Sequence, residues 1–431
     1  MMSKPTIPTS RPASPPQMPE MDFDQSPFLV IWETTQACDL ACVHCRAEAQ
    51  PCRDLAELST LDAMRLMNDV RRFGRPLFVL TGGDPFKRPD LLELVEHGAR
   101  IGLRMGLTPS ATPLVTAQRL EELRDVGLAR LAISMDGPDP ETHDTFRGMP
   151  GSFQRSLEIL EAARGLGLST QVNSTVTRTT LKDFDAMADL VTDLGISLWS
   201  VFFLVPTGRA QAGDVASAEE LEEVFHRMYD LAQEAPFDIK STAAPHYRRV
   251  IMQRQVEERQ QGERDAPPEP LTGGVGFHLG GGSDKAAVRS SAGPNGGGPT
   301  PPATARAKGV NDGNGFVFVS HLGDIYPSGF LPLSVGNVRG DDLVEVYRNS
   351  SLLRALRDPD RLKGKCGVCE YRSVCGGSRA RAYAVTGDPL EAEPYCTHIP
   401  ARWKRMQEKG TAPGSPPRAR GKVWRLPMTG G

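Results

Sequence analysis

The sequence lacks long apolar segments and has no excess of charge of one sign. None of its segments approaches the roughly 18 consecutive apolar residues of a membrane-spanning helix, so a membrane protein is not expected. The opening MMSKPTIPTSRPASPPQMPE has no apolar core of a secretory signal, which favours the cytoplasm. With 50 basic and 53 acidic side chains, general electrostatic capture of nucleic acid is also not expected. At 431 residues, the chain is long enough for two or three domains of a soluble globular protein.

Cysteine is scarce but clustered. Eight cysteines form two groups more than three hundred residues apart, at positions 38, 42, 45 and 52 and at positions 366, 369, 375 and 396. In a large chain without an export signal, such groups indicate metal ligands rather than a disulfide framework.

From residue 27 to about 235, apolar runs of strand length alternate with amphipathic segments of helical length. This alternation is typical of the α/β class with a parallel sheet. The predicted strands are PFLVIWE, PLFVLT, GLRMGLT, ARLAISM, STQVNSTVT and SLWSVFFLV, and the predicted helices lie near 59–73, 89–101, 116–126, 151–166, 180–194 and 217–235. Six β/α units are too few to close an eight-stranded barrel, so we expect an open, partial (β/α)6 barrel of the TIM type.

The composition divides the chain into five segments. We expect a disordered leader over 1–24, the barrel core over 25–235, a helix and a Gly- and Pro-rich linker or mobile loop over 236–314, a small cysteine-rich domain over 315–405, and a basic disordered tail over 406–431. The small domain is predicted to open with a β-hairpin around Gly323 and Asp324 and to continue with a helix near 341–357.

The first cysteine group follows the first predicted strand. Cys38, Cys42 and Cys45 have the spacing Cys-x3-Cys-x2-Cys, at the end of a strand where barrels of this type collect catalytic groups. Three thiolates can hold three irons of a [4Fe-4S] cluster and leave the fourth iron open to a ligand with an amine and a carboxylate. A zinc knuckle or a chance triplet is the alternative interpretation.

These three cysteines resemble the defining motif of the radical S-adenosylmethionine (SAM) enzymes in spacing and in position. The resemblance implies that the open iron binds SAM, and that reductive cleavage of SAM gives methionine and a 5′-deoxyadenosyl radical that abstracts hydrogen from the substrate. It also implies a reduced flavodoxin or ferredoxin as electron donor. His44 stands where the family usually has an aromatic residue, and Cys52 matches no position of the motif.

Further SAM contacts are implied at the ends of later strands. Gly82, Gly83 and Asp84 resemble the family's Gly-Gly-Glu motif, with Asp in place of Glu, and glycines let the backbone approach a ligand closely. By similarity, Ser134 and Asn173 would bind the SAM carboxylate or ribose, and Arg147 would pair with the carboxylate. An ordinary β/α turn and side chains that merely cap strand ends are the structural alternatives.

The second cysteine group can hold one fully ligated cluster or one structural zinc, and its spacing does not decide between them. The group consists of Cys366, Cys369, Cys375 and Cys396. It resembles the SPASM and twitch extensions of radical SAM enzymes, which implies an auxiliary [4Fe-4S] cluster. Ser328 and Arg379 occupy places where the full SPASM pattern has further cysteines, so only one auxiliary cluster is expected.

Two arginines beside this group, Arg379 and Arg381, are predicted to be surface charges, with the binding of anionic substrate groups as the alternative. His278 and His321 are predicted to be surface or packed side chains rather than haem ligands.

The substrate is less well determined by the sequence. The single auxiliary site, the GGDP variant and the segment CGGSRARA resemble enzymes of the haem d1 and alternative haem pathways, which implies modification of tetrapyrrole side chains. A precursor peptide is the alternative substrate, because other SPASM-type enzymes modify peptides. A sensor or scaffold that binds iron-sulfur clusters or zinc without catalysis is the third hypothesis.

Overall fold

The computed structural model describes residues 22–260 and 309–412. Most of the predicted leader, the Gly- and Pro-rich segment with His278, and the chain from residue 413 onward lie outside the described residues.

The strands form one sheet of ten. They are β1 (Leu29–Glu33), β2 (Leu77–Thr81), β3 (Arg104–Leu107), β4 (Leu128–Ser134), β5 (Ser169–Val176), β6 (Leu198–Phe203), β7 (Asp238–Thr242), β8 (Phe316–Val319), β9 (Asp324–Tyr326) and β10 (Gly336–Asn337). The order across the sheet is β10-β9-β8-β1-β2-β3-β4-β5-β6-β7. Neighbours from β8 to β7 are parallel, and β9 and β10 join as antiparallel strands. Among the described residues no pairing joins β7 to β10, so the barrel is open.

Helices cover the outer face of this sheet and continue into the C-terminal region. They are α1 (Thr60–Arg71), α2 (Leu91–Arg100), α3 (Ala117–Asp125), α4 (Pro140–Arg147), α5 (Ser152–Gly165), α6 (Phe184–Asp193), α7 (Ala218–Glu234), α8 (Tyr247–Gln260), α9 (Leu343–Asn349), α10 (Ser351–Arg357), α11 (Gly364–Gly367), α12 (Arg379–Thr386) and α13 (Ala401–Glu408).

Each barrel strand divides its side chains between two environments. In β1, Val30 and Trp32 are fully buried in the core between sheet and helices, whereas Leu29 and Ile31 line the barrel interior. Successive side chains of a strand point to opposite faces, which explains this alternation. The side chains of the outer face therefore pack against the helices to form the core, and those of the inner face line a cavity.

The fold class and the six predicted barrel strands are confirmed, and the structure adds elements that the sequence analysis missed. β7 was missed because its sequence DIKST contains a single buried apolar residue, Ile239. The sequence analysis also gives no bounds for α4, α8, α12 and α13, although α8 lies in the segment for which a helix is expected. The division into domains stays a prediction.

The C-terminal region differs from the prediction in two places. The hairpin around Gly323 is present as β8 and β9, but β8 also pairs with β1 and so extends the barrel sheet. The single helix predicted near 341–357 is wrong, because the chain breaks at Ser350 into α9 and α10. Ser350 has a non-helical backbone, and its side chain accepts a hydrogen bond from the amide of Leu353, which is the geometry of a helix N-cap.

None of the helices in the described ranges combines the length and the apolar character needed to cross a membrane.

Candidate active site

The loop after β1 carries the first cysteine group into the barrel mouth. Cys38 and Cys42 are buried and Cys45 is half-buried, and none of the three forms a disulfide. Their sulfurs have nitrogen donors nearby: the amide of Leu40 for Cys38 (3.4 Å) and the amide of Ala49 for Cys45 (3.4 Å). For Cys42 the donor is Nη1 of Arg147, at 3.7 Å. N–H groups directed at sulfur stabilise thiolate ligands, so this donor set fits the three-cysteine side of an iron-sulfur cluster.

The glycine pair after β2 lies directly on this cysteine loop. The amide of Gly83 donates to the carbonyl of Thr35 and that of Asp84 to the carbonyl of Ala37, both at 2.7 Å. A Cβ atom would come within 2.4 Å of the Thr35 oxygen if placed at Gly82, and within 2.4 Å of the Ala37 oxygen if placed at Gly83. Two glycines are therefore required because two backbones meet here, a reason that the motif alone did not reveal.

The Asp84 side chain contacts the loop after β3. It is fully buried, and its carboxylate accepts hydrogen bonds from the hydroxyl of Thr112 (2.7 Å) and the amide of Phe86 (3.1 Å). Burial raises the pKa of Asp84, against the effect of the Thr112 hydrogen bond. In this structure Asp84 holds the loop after β3 in place.

That loop brings a residue that the sequence analysis missed. The hydroxyl of Ser110 donates to the carbonyl of Gly83 (2.8 Å) and lies 3.2 Å from the sulfur of Cys38. Ser110 follows β3 just as Gly82 follows β2, so its position after the next parallel strand is the signal that could have identified it.

A cavity of about 120 Å³ opens beside the cysteine loop. Four of the six predicted SAM contacts line it, namely Gly82, Gly83, Ser134 and Arg147. Asn173 lines a second, adjoining cavity instead, and its side-chain oxygen accepts a hydrogen bond from Gln171 (2.7 Å). The predicted contacts thus fall into a group of four, with Asp84 and Asn173 outside it.

Arg147 is held in this cavity by Asp136. Asp136 follows β4, is buried, accepts a hydrogen bond from the amide of Thr175 (2.6 Å) and forms an ion pair with Arg147. Burial would raise the pKa of Asp136, but the Arg147 guanidinium holds it below its usual value. Arg147 therefore remains charged beside Cys42, where it can meet an anionic ligand group.

His44 is packed within the cysteine loop. Its ring stacks on Phe146 with 4.3 Å between ring centroids. Burial lowers the pKa of His44 to about 4, so the imidazole is neutral at physiological pH.

Comparison with known proteins gives the family. Residues 32–191 match the radical SAM superfamily. The chain is 39% identical over 377 residues to the AdoMet-dependent heme synthase of Methanosarcina barkeri, covering 88% of this chain and 98% of the relative. It is 40% identical over 389 residues to the AdoMet-dependent heme synthase of Oleidesulfovibrio alaskensis, covering 89% and 91%. The chain belongs to the radical SAM superfamily.

The fold agrees with that of solved structures. Streptococcus suis SuiB bound to its precursor peptide SuiA matches with a TM-score of 0.59 and 16% identity, over 87% of this chain and 76% of SuiB. At this identity the likeness concerns the fold alone. As a radical SAM enzyme, the protein binds a [4Fe-4S] cluster and SAM, which together supply a 5′-deoxyadenosyl radical.

A larger cavity of about 270 Å³ lies inside the barrel of this radical SAM enzyme. It shares Thr81 and Thr108 with the smaller cavity, so the two adjoin. Its wall is mostly apolar and includes the side chains of Ile31, Phe202 and Phe330. A substrate in this space would lie next to the position expected for SAM.

The second cysteine group of the enzyme is brought together in the C-terminal region. Cys366, Cys369, Cys375 and Cys396 all line one small cavity. Backbone amides donate to three of the sulfurs: Glu393 to Cys366 (3.3 Å), Tyr371 to Cys369 (3.5 Å) and Gly377 to Cys375 (3.4 Å). Nη2 of Arg249 lies 4.0 Å from the sulfur of Cys396. Cys52, the fourth cysteine of the first group in the sequence, is exposed.

The prediction that Arg379 and Arg381 are surface charges is wrong. Arg379 is 1% exposed and donates to the carbonyls of Gly377, Pro389 and Glu391. Arg381 is fully buried and pairs with Glu393. Neither lines the barrel cavity. Arginine is usually exposed, but five fixed donors let it satisfy several buried carbonyls at once.

His321 is packed, as predicted, in a buried ion-pair cluster. The carboxylate of Glu33, at the end of β1, accepts from Nδ1 of His321 (2.9 Å) and Nη2 of Arg46 (2.7 Å). Burial would raise the pKa of Glu33, but Arg46 and His321 hold it below its usual value. The cluster joins the cysteine loop to the turn between β8 and β9.

Proposed function

We propose that this radical SAM enzyme is a haem synthase that decarboxylates propionate side chains of an iron tetrapyrrole to vinyl groups. The observation that carries the proposal is the identity of 39–40% to two AdoMet-dependent heme synthases over at least 91% of their lengths. The apolar cavity beside the SAM position supports it, because a macrocycle needs such a space. Haem has vinyl groups where iron coproporphyrin III has propionates, so iron coproporphyrin III is the substrate that this reaction requires.

The proposed reaction releases one electron for each side chain that loses CO2. A hydrogen atom would leave the propionate carbon that is bonded to the ring, and its transfer would convert the deoxyadenosyl radical into 5′-deoxyadenosine. The bond to the carboxylate then breaks, CO2 leaves, and the vinyl double bond forms with release of one electron. The chain's own contribution is positional: Arg147 and the Gly82–Gly83 backbone would hold SAM in the smaller cavity, beside the barrel cavity.

We infer that Cys366, Cys369, Cys375 and Cys396 would hold an auxiliary [4Fe-4S] cluster, which would accept the released electron. The nitrogen donors around all four sulfurs support a cluster at this site. A second support is His246, which is fully buried in the same cavity wall. Neither of its ring nitrogens has a hydrogen-bond partner in the described part of the chain, and a cluster sulfide would supply one. Zinc is the alternative occupant, and metal analysis separates the two.

The proposal places the enzyme in the cytoplasm, with a reduced flavodoxin or ferredoxin as donor of the electron that starts the reaction. A precursor peptide is the competing substrate. It is less favoured because relatives named for or bound to a peptide are less similar: the PqqA peptide cyclase of Bradyrhizobium diazoefficiens is 25% identical, and SuiB, bound to the peptide SuiA, is 16% identical.

Anaerobic turnover tests the proposed function. The reconstituted, dithionite-reduced enzyme is incubated with SAM and iron coproporphyrin III, and products are analysed by mass spectrometry. We expect 5′-deoxyadenosine together with porphyrins that have lost CO2 and two hydrogen atoms at each reacted side chain. The Cys38→Ala variant, which lacks a ligand of the SAM cluster, is the inactive control. Cleavage of SAM without any change in the porphyrin would contradict the haem synthase proposal but not the family.

A further inference from the structure

One segment of the chain contributes to the walls of two cavities. Where β7 leads into α8, Ala243, Ala244 and Arg248 line the barrel cavity, whereas His246 and Arg249 line the cavity of the second cysteine group. This wall segment, 243–249, therefore lies between the proposed substrate space and the second cysteine group.

Two polar side chains bond this side of the barrel to the second cysteine group. Asn311 lines the barrel cavity, and its side-chain amide donates to the carbonyl of Gly377 (2.8 Å), which lines the cysteine cavity. Arg248 also lines the barrel cavity and donates to the carbonyl of Val374 (3.2 Å), the residue before Cys375. An electron released in the barrel cavity would thus arise next to the chain that carries Cys375.

His246 has an unusual environment within the wall segment. It is fully buried, and in the ranges that the structure describes neither of its ring nitrogens has a hydrogen-bond partner. The ring of Phe225 packs against it edge to face, with 4.6 Å between the ring centroids. Burial lowers the pKa of His246, and even the neutral ring has one N–H to donate. Since an unpaired buried donor is costly, the occupant of the cysteine cavity is expected to accept this hydrogen bond.

The other donors around the second cysteine group are directed at cysteine sulfurs. Backbone amides bond three of these sulfurs, and Arg249 lies near the fourth, that of Cys396. Arg249 is paired with Glu222, which offsets its charge. His246 bonds none of the cysteine sulfurs and is therefore available to a sulfide of a cluster.

A hydrogen bond to a sulfide favours the reduced state of a cluster. Four thiolates already make a [4Fe-4S] cluster anionic, and reduction adds one more negative charge. A donor therefore stabilises the reduced form more than the oxidised form, which raises the reduction potential.

We propose that His246 donates a ring N–H to a sulfide of the auxiliary cluster and thereby makes that cluster a better acceptor of the electron released on decarboxylation. This inference rests on the auxiliary cluster of the proposed function and adds the residue that tunes its potential. The substrate radical is oxidised by one electron as it loses CO2 and forms the vinyl double bond, and the cluster is reduced by that electron.

A redox titration of the second cluster alone tests the proposal. In the full-length chain, Cys38, Cys42 and Cys45 are replaced by alanine, and the reduced second cluster is followed by electron paramagnetic resonance. In this background, His246→Leu should lower the equilibrium constant for reduction about tenfold, or about 59 mV for a one-electron couple. His246→Gln keeps an N–H donor and should retain most of the potential. His97→Leu, in α2 and outside both cavities, is the control and should leave the potential unchanged.

A second readout needs no substitution at His246. In the same background, His398→Gln removes the other histidine that lines the cavity, and the protein is prepared with isotope-labelled histidine. Pulsed paramagnetic resonance of the reduced cluster should then show a magnetic coupling to a histidine nitrogen. Where His246→Leu fails to retain about four irons per chain, this coupling decides the question.

The outcomes separate this inference from the proposed function. An equilibrium constant for His246→Leu within about twofold of that of its parent, or the absence of the histidine coupling, would overturn the role of His246 and leave the cluster in place. Zinc instead of iron at the second cysteine group would overturn the auxiliary cluster and this inference together. The haem synthase proposal is judged separately, by turnover of iron coproporphyrin III with the unsubstituted enzyme.

Discussion

At the scale of single residues, the active site depends on where a side chain is not tolerated. The cysteine loop and the loop after β2 touch backbone to backbone, and Gly83 has the carbonyl oxygens of Ala37 and Gln36 within 2.5 Å of a hypothetical Cβ. Backbone atoms cannot move aside as a flexible side chain can. A side chain at Gly83 would therefore displace the loop that positions the three cysteines.

Gly83→Ala should consequently damage the SAM site. We expect its unfolding free energy to fall by about 1–3 kcal/mol, as for overpacked cores, and its affinity for SAM to fall as the loops separate. Urea unfolding and equilibrium binding of SAM measure the two effects. Gly165→Ala is the matched control, because no atom lies within 4 Å of a Cβ there and alanine favours a helix. Equal behaviour of the two variants would contradict the argument from close contact.

At the scale of elements, one arginine joins α12 to the barrel. Arg381 donates to the carbonyls of Phe203 (3.1 Å) and Leu204 (3.2 Å) at the end of β6, and to that of Ala243 (3.0 Å) after β7. Its ion pair with Glu393 is fully buried. The C-terminal cysteine region is thus bonded to the edge of the barrel where the strands end.

Removal of this arginine should loosen that junction. Arg381→Ala leaves Glu393 buried without its partner, which typically costs about 3–5 kcal/mol of unfolding free energy. Arg354→Ala, at an exposed position in α10, should change stability by less than about 0.5 kcal/mol. Denaturant unfolding under anaerobic conditions compares the two. A loss no larger in Arg381→Ala than in Arg354→Ala would show that the junction depends on other contacts.

At the scale of the whole molecule, the two cysteine groups lie at two separate sites. The first lies beside the cavity of about 120 Å³ where we propose that SAM binds, and the second lines a separate cavity in the C-terminal region. Because no cysteine is shared, loss of one group should not remove the metal of the other.

Cys375→Ala should therefore separate SAM cleavage from product formation. If both groups hold [4Fe-4S] clusters, the wild-type enzyme contains about eight irons per chain and the variant about four. We expect the variant to cleave SAM but to form far less haem, since the electron released on decarboxylation lacks its acceptor. Iron and sulfide analysis, deoxyadenosine and haem are measured on the same sample, with Cys52→Ala as control. Full haem formation by Cys375→Ala would refute the assigned role.

The sequence by itself determined what is local along the chain. The alternation of strand-length apolar runs with amphipathic helical segments predicted the fold class, and the spacing of Cys38, Cys42 and Cys45 carried the resemblance to the family, because both are properties of short segments. The tertiary structure alone decided which distant residues meet: that β8 pairs with β1, that Ser110 reaches Cys38, that Arg381 is buried, and that His246 lines the cavity of the second cysteine group. Such contacts depend on packing between segments far apart in the chain, and no local pattern of charge or hydrophobicity encodes them.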